Sequence, residues 1–212
     1  MKVTRLPQSC LLLEKEGKSI VIDPGDDFLK SHSVDEIKNV LAVLYTHQHA
    51  DHYEPAIAAA LIEAGVAVYA NGSTARLIGD EKCNIVNSTD AFNVGQFEIV
   101  SYEIPHCLLP NGEPGPQNTG YVIDGALFHP GDGKDLDELE LQVDNLALPI
   151  TGPDISMLDA CNFTKQVGAK VAIPIHYDKY GAKPEAYKHM AERLKMPFTI
   201  HILADGESTQ IK

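Results

Sequence analysis

The apolar run Val40 to Leu44 leads straight into Tyr45-Thr46-His47-Gln48-His49-Ala50-Asp51-His52, three histidines and an aspartate between positions 47 and 52. No regular element can aim these four side chains together. In a helix, at about 100° per residue, His47 and His49 would diverge by roughly 200°. In a strand, 47, 49 and 51 would share one face and His52 would leave it. A loop at the end of a buried strand solves the problem, and Pro55 is well placed to open a following helix. There a curving backbone can converge the group on two nearby points.

The chemistry of those residue types points to metal. Imidazole nitrogen and carboxylate oxygen bind zinc at about 2.0–2.1 Å, and a catalytic zinc takes about three protein ligands plus an open position. Four candidates from one short loop exceed what a single ion draws from one segment. Two ions are the natural reading, with distant residues completing both sites. Three such residues follow predicted strands downstream: His106 in Ile-Pro-His-Cys, Asp132 in His-Pro-Gly-Asp-Gly, and His176 in Pro-Ile-His-Tyr-Asp.

The flanking pattern fits an α/β layered fold. Two early strand signals meet at the turn Lys15-Glu16-Gly17-Lys18, which predicts a hairpin. Asn39 to Thr46 reads as a strand buried on both faces, residues 54–65 as a helix and 66–70 as a strand, a βαβ unit. Residues 93–106 and 119–132 read as hairpin strands, separated by a Pro- and Gly-rich loop over a site at 107–118. Then come a strand at 145–151, a helix opened by Asp154 or Ser156, a buried strand at 170–177, a helix at 184–195 and a strand at 198–203.

Totals narrow the function class. A chain of 212 residues with 44% hydrophobic and 22% charged content suits one globular domain, residues 1–212. No apolar run approaches the roughly 20 residues of a membrane span. The N-terminal segment reads as mature sequence, and Cys10, Cys83, Cys107 and Cys161 lack C-x-x-C spacing, so a cytoplasmic protein with reduced thiols is expected. A net charge of −13 disfavours nucleic acid as partner. A small-molecule substrate is expected instead, and self-association into a homo-oligomer is compatible with the compact size.

H-x-H-x-D-H after an apolar strand, followed by separate His, Asp and His at strand ends, resembles the metallo-β-lactamase superfamily. Ser9 to Gly25 and the Pro-Ile-His-Tyr segment carry the same resemblance, which spans about Val3 to His176. Phe128 to Asp132 and the 148–177 stretch are similar to the branch that includes L-ascorbate-6-phosphate lactonase and metal-dependent hydrolases. The resemblance implies a four-layered αββα sandwich, two mixed β-sheets flanked by helices. It implies His47, His49 and His106 around one metal, Asp51, His52 and His176 around the other, and Asp132 between them. It further implies that Asp23 orients the motif loop, and that His129 touches the substrate or its leaving group. The branch often has a histidine where this chain has Gln8, which affects one expected substrate contact.

The expected function is a dinuclear metal-dependent hydrolase in which a hydroxide shared by the two ions attacks an ester, lactone or phosphate-containing small molecule. Asp51 would hold that hydroxide, and His129 would donate to the departing oxygen. Zinc leads as the metal, with manganese and iron as alternatives. A nuclease or phosphodiesterase, a diiron oxidoreductase-type protein and a non-catalytic metal-binding protein are the alternatives on the same fold. His32, His189 and His201 read as residues outside the site. Cys107 should point away from it, because adjacent residues in extended chain face opposite sides.

Overall fold

The computed structural model describes residues 1–37 and 39–212. Among the described residues, two seven-stranded sheets form the centre of the molecule. The first sheet takes β1 (Lys2–Arg5), β2 (Leu11–Lys15), β3 (Lys18–Ile22), β4 (Val40–Tyr45), β5 (Ala67–Ala70) and β6 (Asn84–Ile85). The second takes β7 (Ala91–Val94), β8 (Phe97–Glu103), β9 (Thr119–Ile123), β10 (Leu127–His129), β11 (Asn145–Pro149), β12 (Val171–Ile175) and β13 (Thr199–Ile200). The chain then returns to the first sheet, where β14 (Ser208–Gln210) pairs antiparallel with β1. Each sheet is antiparallel at one end and parallel at the other, with β3 to β6 parallel in the first and β10 to β13 in the second.

Helices cover the outer faces: α1 (Pro55–Glu63) and α2 (Gly72–Ile78) belong with the first sheet, α3 (Met157–Gln166) and α4 (Pro184–Arg193) with the second. The result is the αββα sandwich expected from the sequence. Strand periodicity explains why the central strands are apolar throughout. In β4, Ala42 and Leu44 face the core between the sheets, whereas Val43 and Tyr45 pack under α1 with Ile57 and Leu61. In β12, Ile173 and Ile175 face inward and Ala172 joins the layer under α3 and α4, with Phe163 and Tyr187. A strand that serves two cores has no polar face, because successive side chains alternate sides and both sides are dry.

Local signals set the helix ends. Pro55 occupies the first turn of α1, where a missing N–H costs nothing. Ser156, not Asp154, caps α3: its hydroxyl accepts the Asp159 N–H at 3.1 Å while Asp159 bonds back to the Ser156 backbone at 2.9 Å. Asp154 instead pairs with Lys134 at 2.6 Å and accepts the Leu108 N–H at 2.9 Å, anchoring the start of the 108–118 loop. The strand expected at 198–203 is shorter, Thr199–Ile200.

Candidate metal centre

The predicted ligands all leave the C-terminal ends of strands. The 46–54 loop follows β4, His106 follows β8, Asp132 follows β10 and His176 follows β12. Backbone contacts draw these loops together. The Cys107 N–H donates to the Asp132 carbonyl at 3.0 Å, and His106 bridges to Gly133. After β3, the Asp26 N–H reaches the Ala50 carbonyl at 2.7 Å. Gly25 sits so close to the motif loop that a side chain there would overlap the backbone of Asp51 and His52.

Two groups result. His47, His49, His106 and Asp132 form one and Asp51, His52 and His176 the other, with the candidate ligand atoms of each group within 4.8 Å of one another. In the first, His47 Nε2 lies 3.1 Å from His49 Nδ1 and 3.3 Å from His106 Nε2. Asp132 Oδ2 is 3.5 Å from His106 Nε2 and 3.8 Å from His47 Nε2. In the second, His176 Nε2 is 3.4 Å from Asp51 Oδ2. The other oxygen of Asp132, Oδ1, is 3.1 Å from His52 Nε2 and 3.4 Å from His176 Nε2. The carboxylate of Asp132 therefore presents one oxygen to each group.

The far side of each ring decides which nitrogen is free. His47 Nδ1 lies 3.0 Å from the Thr46 hydroxyl, which itself donates to Asp23 Oδ2 at 2.6 Å. His52 Nδ1 donates to Asp23 Oδ2 at 2.7 Å, and His176 Nδ1 to the Thr151 carbonyl at 2.7 Å. His106 Nδ1 lies 2.5 Å from the Cys107 carbonyl. In each case a proton sits on Nδ1, which aims Nε2 at the centre and leaves it as the nitrogen that can bind a cation. Lone pairs facing one another at 3.3 Å, as in His47 and His106, are stable only with a positive charge between them.

Burial sharpens the test. His52 Nε2, Asp132 Oδ1 and His176 Nε2 are buried and none has a partner in hydrogen-bond geometry. Buried polar atoms rarely stay orphaned, so a cluster of three asks for an ion. Tetrahedral ligands about 2.0–2.1 Å from a zinc-sized ion stand roughly 3.3 Å apart, close to the spacings seen here. The donor set, imidazole with carboxylate, suits zinc, manganese or iron alike.

Electrostatics agree with that fit. Burial first, then the neighbouring His52, hold the imidazole of His47 well below its ordinary range. Burial and His106 lower His49 in the same direction. Both rings therefore stay neutral at pH 7. Burial by itself would raise Asp132 and Asp51, yet His176 and His52 beside them leave both carboxyls depressed and ionised. Burial opposes charge on His52 as well, but Asp132 and Asp23 outweigh it and raise that ring. The proton so held would have to leave when a cation binds.

Asp23 lies directly against the motif loop. Its Oδ1 accepts the Thr46 N–H at 2.8 Å, and its Oδ2 takes Thr46 Oγ1 and His52 Nδ1. Such outer partners fix ring orientation and raise ligand basicity. His129 departs from expectation. It is fully buried, its Nε2 donates to the Ser9 carbonyl at 2.9 Å, and its Nδ1 accepts the Gly131 N–H at 3.2 Å. With both nitrogens committed to backbone, His129 fastens the turn before Asp132 and has no atom left for a leaving group. Cys107 belongs to neither group, and burial with Asp132 nearby pushes its thiol up to about 12.

Several contributors escaped the sequence reading. Asn118 joins the β8 and β10 ends: its Nδ2 donates to the Ile104 and Pro130 carbonyls at 3.2 and 2.9 Å, and its Oδ1 accepts the Asp132 N–H at 3.3 Å. Thr46 relays Asp23 to His47. Gly115, in the 108–118 loop, packs on the ring of His106 with no room for a side chain. Tyr180, whose place the sequence leaves open between pocket lining and packing, stands half exposed at the rim, its hydroxyl 3.4 Å from Asp51 Oδ2. None of these carries a local sequence signal beyond its residue type.

Known proteins are similar to this chain in sequence or fold. A family model described as Beta-lactamase superfamily domain matches residues 2–176. Protein Rv0786c of Mycobacterium tuberculosis is 30% identical over 183 residues, covering 83% of this chain and 84% of that protein. A UPF0173 protein of Pyrococcus furiosus is 28% identical over 225 residues, covering 100% of both. The metallo hydrolase Igni18 from the archaeon Ignicoccus hospitalis has a similar fold, with a TM-score of 0.75 at 20% identity over 100% of this chain and 99% of that one. The matched span contains the motif loop and every strand end that carries a converging histidine or aspartate, and the chain belongs to the β-lactamase superfamily domain family.

Proposed function

We infer that the chain is a dinuclear metal-dependent hydrolase acting on a small-molecule ester, lactone or phosphate-containing substrate, working as one domain over residues 1–212. One observation carries the reading: Asp132 offers an oxygen to each of two groups whose histidines turn a ring nitrogen inward. His47, His49, His106 and Asp132 would hold one cation, and Asp51, His52, His176 and Asp132 the other. Zinc is the leading candidate, manganese and iron the alternatives. When bound, such a pair lowers the pKa of a shared water toward neutrality and offsets the charge that develops on the substrate.

The chain's own groups define the rest. Asp51 is the most exposed member of the second group, so its carboxylate can orient a water as well as ligate. Tyr180, whose phenol burial and then Asp51 push up to about 12, stays protonated at neutral pH and can donate a hydrogen bond at the rim. Three basic side chains near the ligand-bearing segments face carboxylates: Arg5 pairs with Asp178, Lys134 with Asp154, and Lys179 lies near Asp26. A groove beside His106 is lined by Glu103, Asp137 and Glu138, with no basic residue among its described lining. Both features support an uncharged ester or lactone over a phosphorylated substrate, and with it a position outside the ascorbate-phosphate branch. The net charge of −13 weighs against a nuclease.

The test is a panel of lactone, carboxylic ester, thioester, phosphodiester and β-lactam substrates offered to zinc-loaded chain. Turnover of at least one, abolished in Asp132→Ala, is expected. A loaded chain that leaves every substrate intact would refute the hydrolase reading.

A further inference from the structure

Gln8 occupies the place where the expected substrate-facing histidine is missing, and its surroundings give it a different task. It is fully buried, in the left-handed region at φ 61°, a conformation that favours glycine. All its hydrogen-bonding groups are engaged. The backbone N–H donates to Asp178 Oδ2 at 2.7 Å, and the carbonyl accepts the His176 N–H at 2.9 Å. In the side chain, Oε1 accepts the Lys179 N–H at 3.2 Å and Nε2 donates to Asp51 Oδ2 at 3.2 Å. The Lys179 bond settles which end of the amide is which, since a backbone N–H needs an acceptor. Asp178 is held in turn by Arg5, whose guanidinium stacks 4.4 Å from the Tyr177 ring.

These contacts touch one group of candidate ligands and not the other. Asp51 and His176 come from loops on different sheets, and Gln8 binds both. No bond from Gln8 reaches His47, His49 or His106 among those described. The first group is instead ordered by Thr46, the Cys107 carbonyl and the contact of Gly115. An amide suits the role, because it donates to a carboxylate without adding charge. A carboxylate held by such a donor keeps its orientation when a cation arrives, so less freedom is lost on binding.

We propose that Gln8 is the positioning residue of the Asp51–His52–His176 site, tying Asp51 to the loop after His176 so that this site, and not its neighbour, depends on the amide. The proposal rests on the two-cation reading above. Asparagine tolerates the left-handed backbone but is one methylene too short to span Asp51 and Lys179 together, so Gln8→Asn should preserve the turn and cut the tie. Gln8→Met keeps the length and removes the donor.

Zinc titration against a chromophoric chelator, with bound metal counted by mass spectrometry, reads the two sites without any substrate. Wild-type chain should take two ions. Gln8→Asn and Gln8→Met should keep one ion within about threefold and bind the other at least tenfold more weakly, the size seen when an outer partner of a ligand is lost. Circular dichroism and thermal midpoints of the zinc-free variants check the fold. If the folded variants bind both ions as wild type does, or weaken both equally, the role of Gln8 is wrong while the two-cation reading stands. Wild-type chain that takes fewer than two ions would overturn both.

Discussion

At Asp23 a single side chain meets three donors: the Thr46 N–H, the Thr46 hydroxyl and the His52 ring. Replacing it by asparagine keeps the shape but substitutes an amide, which cannot accept from all three or sustain the charge that keeps Nδ1 of His52 protonated. Asp23→Asn should weaken zinc binding about 10- to 100-fold, the usual size for losing an outer partner of a ligand. Chelator competition checks this, and unchanged affinity would remove Asp23 from the account. The contrast with His129 shows where residue-level reading stops. Residue type and spacing were enough to name the side chains that converge, since His, Asp and His after apolar strands leave few other interpretations. What each ring does with its second nitrogen depends on carbonyls contributed from elsewhere, Thr151 for His176 and Ser9 for His129. No local pattern records those partners. The same limit hid Thr46 and Asn118, and the partners of Gln8, ordinary polar residues whose importance lies in what they bridge.

Among elements, the ones that stood out in the sequence are those with a two-sided environment. β4 and β12 are continuous apolar runs because alternate residues enter different cores. α2 and β14 were not foreseen. α2 is seven residues long, and its start depends on Asn71 accepting the Thr74 N–H at 3.0 Å, a cap that no apolar periodicity advertises. β14 is a polar segment that becomes a strand only by pairing with β1 at the far end of the chain. The turn that precedes β14 is also tied to a remote segment: His32 bonds Glu36 at 3.0 Å and Asp205 at 2.7 Å. Partial burial opposes the charge on His32, but the two carboxylates outweigh it and raise the ring above its ordinary value. A raised histidine stabilises the fold fully below about pH 6.5 and loses that contribution as pH climbs through the folded value. Glu36, lowered by His32, loses its own share below about pH 4.5. The deficit of His32→Asn should thus be larger at pH 5.5 than at pH 8.5, by about 2 °C in thermal midpoint for pairs this exposed. Equal deficits at both pH values would show that the tether is not electrostatic.

For the whole molecule, the two sheets do one thing for function: they bring loops from both sides of the sandwich to a common edge. His47, His49, Asp51 and His52 come from the first sheet, while His106, Asp132 and His176 come from the second. Neither sheet alone holds either group. Cations gripped between them would couple the halves, and their loss would leave buried imidazoles and carboxylates facing each other without compensation. The direct measurement is metal content by mass spectrometry of chain refolded with and without zinc, for wild type and Asp132→Ala. Two ions per wild-type chain, with a thermal midpoint that falls on chelation, and at most one weakly held ion in Asp132→Ala are the predicted results. A wild-type chain that folds without metal and whose midpoint is unchanged by zinc or chelator would contradict the account.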